Sequence, residues 1–480
     1  MFLTRITALA LLFCCTVSAL SAQEVWSLQR CIQHARDNSL TIRQSQANVR
    51  IALLSEQQAK ANRLPSVSAS VDAGEQFGRT IDPTTNTFSP NATGFNSLRL
   101  NAGAQVFAGG LVHHSVKQAG WNVQAAQADA EQTMNTLGLQ IAQAYLNILL
   151  AEEQLKTAER RIAQSGEQIR VTQKFIDSGT LPLADKFTAE AQLARDEQAS
   201  VTVRNTVDLA YLSLKQLLQL EPDYELRIER PNPDSPTDAL PANLSLSPIY
   251  AQASLTQPGV RAAGFRMKSA EEGVAIAKAG YYPTISLFAN LSSNYSSRYP
   301  DYSRLQITGV ELGPVEVYSI GGQDVPVRRY NATYELPTLG YFDQIDQNFG
   351  QGVGVSISIP IYQNGRTRLG VERARLAVLS SETQHLQAQQ QLKNDIQTAI
   401  ANARAGRKQM EAAQKTLSSL QLAYQNMEKR FAIGAVNTFD LSTARTNLNA
   451  AENDLLVAKY DYLFRLKILD FYQGRPLLMD

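Results

Sequence analysis

Few residues of this chain could do chemistry, and the most suggestive are two aspartates that follow glycines. Asp185 comes six residues after Gly179, and Asp440 comes six residues after Gly434. A carboxylate in the first turn of a helix stabilises the helix dipole, and Asn437 could cap the helix that carries Asp440. The residues alone therefore give both carboxylates a structural role at a helix start.

No pattern typical of an enzyme accompanies these aspartates. The sequence has no nucleophile elbow, no phosphate-binding P-loop and no HExxH metal-binding pattern. His113 and His114 are adjacent, so on a helix they would point apart and chelate a metal poorly. We expect no catalytic residue, no metal site and no cofactor.

Residues 1–22 are typical of a secretory signal peptide. Arg5 provides the positive start, residues 6–15 form a short apolar run, and small residues continue to Ala22. That run is too short for a stable transmembrane helix. Cleavage after Ala22 would leave Cys31 as the single cysteine, which allows neither an intrachain disulfide nor a cysteine metal cluster.

Charge and hydropathy exclude two further classes. Lys and Arg number 45 against 44 Asp and Glu, so no basic excess points to nucleic acid. No run of about 20 apolar residues follows the signal, so the sequence predicts no transmembrane helix. Strands in a membrane carry a much weaker hydropathy signal and stay possible.

The chain is internally duplicated. Residues 59–68 resemble residues 277–286 at an offset of 218, and residues 106–110 resemble residues 361–365 at an offset of 255. Gly179 and Gly434 share the second offset, as do Asp185 and Asp440.

The duplication predicts two halves with one plan. We place the halves at 23–230 and 242–480, joined by a linker at 231–241 that is rich in Pro and Asp. The offset increases once, between the two strand signals of a half, so the second half carries the longer loop, at 293–350. Each half begins with a helix, which precedes its first strand.

Apolar and polar residues alternate in two segments of each half, which predicts β-strands with two different faces. The predicted strands are about 64–73, 96–107, 282–292 and 351–362. Strands of roughly 10 residues suit an outer-membrane barrel with lipid on the apolar side. A soluble antiparallel sheet with one buried face fits these segments equally well.

The long helices favour the outer-membrane barrel over the soluble antiparallel sheet. The predicted long helices are 111–176, 182–220, 366–431 and 437–473. Residues 111–176 contain no proline and predict a helix of roughly 100 Å. An apolar residue recurs every seven positions from Met134 to Ile176, with smaller residues three positions later, which predicts close coiled-coil packing.

In this order the motifs resemble the TolC family of outer-membrane efflux and secretion channels. The resemblance is carried by residues 27–32, 63–65, 281–283 and 362–365, and by Phe431 to Gly434 followed by Asp440, Ala444 and Leu448. It covers essentially the whole chain after the signal. Each motif is weak alone, and their repetition at matching spacings makes the resemblance strong.

The resemblance implies a trimer with a barrel of twelve strands and a periplasmic tunnel of twelve helices. The residues alone require an oligomer, because a membrane barrel needs about eight strands or more and each chain supplies four. The predicted fold class is an α+β membrane protein, internally duplicated. Its four β-strands per chain contribute to a shared transmembrane β-barrel, and its long coiled-coil helices form a periplasmic α-barrel.

The function implied by the resemblance is a trimeric outer-membrane channel. It would be the exit duct of a tripartite efflux pump or a type I secretion system, in the outer membrane of a Gram-negative bacterium. The expected partners are a periplasmic adaptor protein, an inner-membrane RND or ABC pump and outer-membrane lipid. The duct would be a passive conduit that opens at its periplasmic helical tip.

The resemblance also assigns roles to residues at that tip. It places Asp440 at the pore constriction, where three carboxylates would favour cations. Asp185 is a second candidate, and Thr443 stands where the family often has another acidic residue. Gly179 and Gly434 would form the tip turns. Val436 replaces a basic residue that helps lock the tip in some members.

Three aromatic residues lie where predicted strands meet helices. Phe107, Tyr282 and Tyr362 fit an aromatic girdle at the membrane interface, although ordinary packing explains them almost as well.

Two other functions compete with the channel. A periplasmic adaptor or coiled-coil scaffold should carry one helical hairpin rather than a duplicated plan with four strands. An outer-membrane receptor or adhesin could be built on the loop at 293–350.

Overall fold

The structure is a computed structural model that describes residues 25–81, 84, 86, 88–89, 92–230 and 245–475. The predicted signal peptide at 1–22 and the predicted linker at 231–241 lie outside these residues.

The described ranges contain helices in both halves of the chain. These helices are α1 Leu28–Asn38, α2 Leu40–Ala61, α3 Leu111–Asp177, α4 Leu183–Leu218, α5 Leu246–Thr256, α6 Pro258–Ala279, α7 Tyr341–Gln347, α8 Arg366–Ala432 and α9 Thr438–Tyr472. Helices α3 and α8 each contain 67 residues, as expected for segments without an internal proline. None of the described helices combines the length and apolar character needed to cross a membrane.

The strands lie between those helices. They are β1 Val25–Trp26, β2 Ser66–Gln76, β3 Thr80–Ile81, β4 Phe88–Ser89, β5 Thr93–Ala108, β6 Arg227–Ile228, β7 Thr284–Ser296, β8 Gln306–Ile320, β9 Gln323–Glu335 and β10 Gly350–Ser358. One four-stranded antiparallel sheet has the order β10-β7-β5-β2. Its register pairs Ala69 with Leu100 and Leu100 with Leu291, so apolar residues share one face.

The sheet is not the soluble alternative, in which one face would be buried. All eleven residues of β2 are exposed, so apolar Val67 and Val71 face outward together with their polar neighbours. Strands β2 and β10 end the sheet without a further partner strand among the described residues. Such apolar faces and open edges are unstable in water unless another surface covers them.

Two predictions for this region need correction. The fourth strand was expected over 351–362 but ends at Ser358, because Pro360 has no N–H for the ladder. The segment 293–350 is not a simple loop. It contains the hairpin β8–β9, whose strands pair only with each other, and the short helix α7.

Packing divides the chain differently from the duplication. One compact unit, here called the helical unit, comprises the described residues within Met1–Leu54, Gly120–Ser269 and Ala377–Asp480. The other, the strand unit, comprises Ser55–Ala119 and Ala270–Leu376. Each half of the duplication therefore contributes residues to both units.

The core of the helical unit contains two apolar clusters, one built mainly from each half. The first joins α1, α3 and α4 around Ile141, Ile148 and Leu214, and the second joins α5, α8 and α9 around Ile396 and Ala403. The smaller heptad series of α3 is buried throughout, at Leu137, Ala144, Ala151, Ala158, Ser165 and Thr172. Small side chains on this seam allow the close helix approach that the sequence predicts.

Candidate constriction at the helical tip

The two glycines of the predicted tip turns adopt the same conformation. Gly179 has φ +74° and Gly434 has φ +73°, in the left-handed region that glycine enters at little cost. The Gly179 N–H donates to the Ile176 carbonyl at 2.9 Å, and the Gly434 N–H donates to the Phe431 carbonyl at 2.9 Å.

The residue after each glycine completes the turn. The Thr180 N–H donates five residues back to the Phe175 carbonyl at 2.9 Å, and the Ala435 N–H donates to the Arg430 carbonyl at 2.8 Å. This pair of bonds is the Schellman motif, which satisfies the last carbonyls of a helix and reverses the chain. Both long helices therefore end in the same way and lead directly into α4 and α9.

Helix α9 begins with a side-chain cap. The Asn437 Oδ1 accepts a hydrogen bond from the Asp440 N–H at 2.8 Å. Asp440 lies exposed in the first turn, so its carboxylate is placed in the positive field of the helix start without serving as the cap. Thr443, one turn later, is also exposed and donates its hydroxyl to the Phe439 carbonyl at 2.9 Å.

Helix α4 begins without such a cap. Its flanking residue is Pro182, whose side chain makes no capping hydrogen bond. Asp185 lies in the first turn and is half-buried, and its N–H donates to the Pro182 carbonyl at 3.1 Å. Of the two aspartates, Asp440 is therefore the more available to solvent.

Apolar side chains surround the turns, and the sequence reasoning missed them. Leu183 is 57% exposed, Phe187 60%, Ile433 80% and Phe439 70%. Four large apolar residues exposed near two tight turns are typical of a surface that contacts another protein. Their proximity to the glycine turns, where polar residues are usual, is the signal that could have found them.

A buried polar cluster joins α3, α4 and α9. Ser165 donates its hydroxyl to the Asp196 carboxylate, and the Gln192 amide donates to the same carboxylate at 3.0 Å. Arg445 on α9 is 8% exposed and donates to the Arg161 carbonyl and to the Gln164 side chain, each at 3.1 Å. These bonds tie the start of α9 to α3 by charge-assisted contacts.

A small cavity of about 20 Å³ lies inside this cluster, roughly the space of one water molecule. Thr438 lines it, and the Thr438 hydroxyl is buried without a hydrogen-bond partner among the described residues. Burial lowers the pKa of the neighbouring Arg161 guanidinium, against the opposing charges of Glu452 and Asp196.

The three candidate interfacial aromatics belong to the strand unit, and all are exposed. Phe107 is 44% exposed, Tyr282 55% and Tyr362 83%. Phe107 follows an irregularity in β5 and pairs with Ile285, one residue inside the start of β7. Tyr362 lies four residues after the end of β10 rather than within it.

Comparison with known proteins decides the family. The family of proteins described as "Outer membrane efflux protein" matches residues 31–219 and 249–475, which include both tip turns and both aspartates. The chain belongs to the outer membrane efflux protein family.

Individual relatives are similar over nearly the whole chain. Outer membrane protein TolC of Escherichia coli strain K12 is 26% identical over 467 residues, which cover 93% of this efflux protein and 81% of TolC. Outer membrane efflux protein BepC of Brucella suis biovar 1 is 23% identical over 466 residues, covering 96% and 89% of the two chains. A crystal structure of CusC has a TM-score of 0.75 at 18% identity, covering 95% and 96%.

Membership sets the function and the location. The efflux protein is an outer-membrane channel subunit that serves as an exit duct for efflux or type I secretion, with its helices in the periplasm. The expectation of an α+β channel fold from the TolC resemblance is confirmed. The alternative of a periplasmic adaptor or scaffold is wrong, since the matching family is one of outer-membrane channels.

Proposed function

We propose that three copies of this chain form a passive duct that narrows at the helical tip, where Asp440 forms an acidic ring. The observation that carries the proposal is the first turn of α9. Asn437 supplies the helix cap, and the Asp440 carboxylate is left exposed beside a turn that reverses the chain. A carboxylate that does not serve as the helix cap is available to a solvated pore.

Oligomerisation is supported by the sheet of the strand unit. Its edge strands β2 and β10 lack partner strands among the described residues, and both carry exposed apolar residues. Pairing of β10 with β2 of the next copy would satisfy both edges at once. Four strands per chain are too few to close such a sheet alone, since about eight are needed.

The ring would act on ions by simple electrostatics. Three carboxylates in a narrow polar throat attract cations and repel anions. Because the three negative charges would lie close together, a multivalent cation would bind to the ring as a unit. Thr443, exposed one turn later, adds a hydroxyl but no charge.

The apolar tip surface supports docking of a periplasmic adaptor, through which an inner-membrane RND or ABC pump would be reached. Leu183, Phe187, Ile433 and Phe439 are all more than half exposed and lie close to the turns. A partner that covers these side chains removes apolar area from water, which favours binding by about 25 cal/mol per Å². Energy would enter at the pump, so the duct itself needs no cofactor.

Two measurements test this function. Native mass spectrometry of the purified chain should give three copies, and planar bilayers should show a cation-selective pore blocked by a trivalent cation. A monomer, or a pore with no cation preference, contradicts the proposal.

Docking has a separate test. A photo-crosslinking residue at Ile433 should capture a periplasmic adaptor in cells. The same residue at Val201, which is 71% exposed on α4, is the matched control. Equal capture at both positions contradicts docking at the tip.

A further inference from the structure

The segment between β7 and β10 is held firmly at its base. Gln344 on α7 is completely buried, and its side chain joins the end of β7 to the segment just before α7. The Gln344 Oε1 accepts from the Ser296 N–H at 2.9 Å, and its amide donates to the Leu339 carbonyl at 2.7 Å. A buried amide with both ends satisfied fixes its surroundings in one arrangement.

Further bonds complete this base. The Asp301 N–H donates to the Pro337 carbonyl at 2.7 Å, and the Asn348 amide donates to the Asn294 carbonyl at 2.8 Å. Tyr341 packs on Tyr295 with ring centroids 4.9 Å apart. The hairpin β8–β9 therefore extends from a base that these hydrogen bonds and ring contacts hold in place.

The hairpin has one apolar face, and two irregularities create it. The register shifts between Ile307 and Gly309 and again between Leu312 and Val315. Each shift inserts one extra residue into β8. The residues that flank each insertion, Ile307 and Val310 at the first and Leu312 and Val315 at the second, therefore lie on the same face of the hairpin. The apolar face carries Ile307, Val310, Leu312, Val315, Val317, Pro326, Tyr330, Ala332 and Tyr334.

The opposite face is polar along most of its length and carries Ile320, Val325 and Val327 near the hairpin turn. The Tyr318 hydroxyl donates to the Glu316 carboxylate at 2.6 Å, and the Arg329 guanidinium donates to the Tyr318 hydroxyl at 2.6 Å. This face therefore has fewer large apolar side chains than the other face.

The apolar face is strongly exposed in the single chain. Its seven large side chains are between 46% and 75% exposed, with Tyr330 the most exposed. Together they present on the order of several hundred Å², more than a solvent-facing surface usually keeps uncovered. A two-stranded hairpin is also marginally stable by itself in water. Both facts indicate that another surface covers the apolar face of the hairpin.

We propose that the cover is the same hairpin of the neighbouring copies, so that the apolar faces of β8–β9 pack together around the symmetry axis of the channel. This inference rests on the proposed trimer. Three copies of one face can meet mutually only if each faces the threefold axis. The hairpins would then lie across the axis at the end of the sheet opposite α3 and α8, and would narrow the outer mouth.

Charge favours a second copy over a lipid surface. Residues 306–335 contain four acidic residues, Glu311, Glu316, Asp324 and Glu335, against two arginines and no lysine. An anionic membrane surface attracts basic segments and repels this one. Asp324 and Arg328 lie on the apolar face itself, four residues apart and opposite in charge. Around a threefold axis, Asp324 of one copy can pair with Arg328 of the next.

Disulfide trapping tests the inference, with neighbouring residues as matched controls. Val317→Cys puts a thiol on the apolar face, and Glu316→Cys puts one on the polar face one residue away. Cys31 is fully buried and should stay silent in both. Mild oxidation of the full-length protein in outer membranes should give covalent dimers severalfold more abundantly for Val317→Cys. Leu312→Cys and Glu311→Cys repeat the comparison if either variant folds poorly.

The other outcomes are distinct. Equal dimer yields from a parent that is trimeric by native mass spectrometry overturn the hairpin contact alone, whereas a monomeric parent overturns the trimer as well. Labelling of the Val317→Cys thiol by a lipid-confined maleimide, without dimers, assigns the cover to lipid and overturns the proposal. Replacement of residues 306–335 by a short Gly-Ser linker should raise single-channel conductance, and an unchanged conductance overturns the axial position.

Discussion

The two helical hairpins of the helical unit, α3–α4 and α8–α9, share a backbone plan and differ in their side chains. Their long helices have equal length, and their glycine turns match within 1° in φ. Yet α9 starts with the Asn437 cap and an exposed Asp440, whereas α4 starts with Pro182 and a half-buried Asp185. The turn is thus a requirement of the fold, and the residues that follow it are free to specialise.

The hairpins also differ in the side chains that their helices bury. Helix α4 buries Asp196, which binds Ser165 and Gln192, while the equivalent position of α9 is Ala451. At this position the contact between the helices is therefore polar in the first hairpin and apolar in the second. Helix α9 is attached to α3 by several polar bonds: Arg445 donates to the Arg161 carbonyl, Arg161 donates to the Asn449 carbonyl, and the Gln154 amide donates to the Asn453 side chain at 2.8 Å.

The largest expected effect comes from removing the buried carboxylate. Asp196→Ala should lower the free energy of unfolding by about 3 kcal/mol, because the Ser165 hydroxyl and the Gln192 amide would lose their acceptor in a buried seam. Thermal unfolding in detergent measures it. Glu197→Ala, at an exposed neighbour, is the control and should change stability by less than about 0.5 kcal/mol. Equal effects would show that the seam does not depend on Asp196.

The turns should respond equally. A Cβ at Gly179 or Gly434 meets no atom within 4 Å, so only the left-handed backbone opposes alanine. We expect Gly179→Ala and Gly434→Ala each to cost about 1.5 kcal/mol in unfolding free energy. Gly166, inside α3 and also unobstructed, should instead gain about 0.5 kcal/mol on mutation to alanine. A large difference between the losses of unfolding free energy at Gly179 and Gly434 would show that the two turns are not equivalent.

The smallest expected change in stability distinguishes the N-terminus of α9, which has a side-chain cap, from that of α4, which has none. Asn437→Ala removes the cap of α9 and should cost about 1 kcal/mol of unfolding free energy. Pro182→Ala removes no side-chain hydrogen bond and should cost less. Similar losses in thermal unfolding would mean that the cap does not distinguish the hairpins.

Much of this architecture could be predicted because it depends on local patterns. Alternation marked the four strands of the sheet, and the absence of proline marked the long helices. The β8–β9 hairpin was missed because two irregularities interrupt the alternation in β8, and because both faces of β9 mix apolar and polar residues. The strand end at Ser358 was missed although Pro360 is a local signal.

The side-chain contacts of the tip depend on packing that one sequence does not display. Asp196 and Arg445 look like surface charges in a polar helix, and only the fold shows that they are buried. The seven-residue spacing of Ala189 and Asp196 is the one signal that could have placed Asp196 on a buried seam. The pore role of Asp440 came from the family resemblance and stays a prediction.

Ion selectivity of single substitutions decides whether Asp440, and not Asp185, faces the ion path. Asp440→Asn keeps the shape of the side chain and the Asn437 cap but removes the charge. In planar bilayers it should lower cation preference and weaken block by a trivalent cation, because the ring loses three charges. Asp185→Asn should leave both unchanged. Parent-like selectivity in Asp440→Asn, with unfolding stability alone reduced, would show that Asp440 does not line the pore.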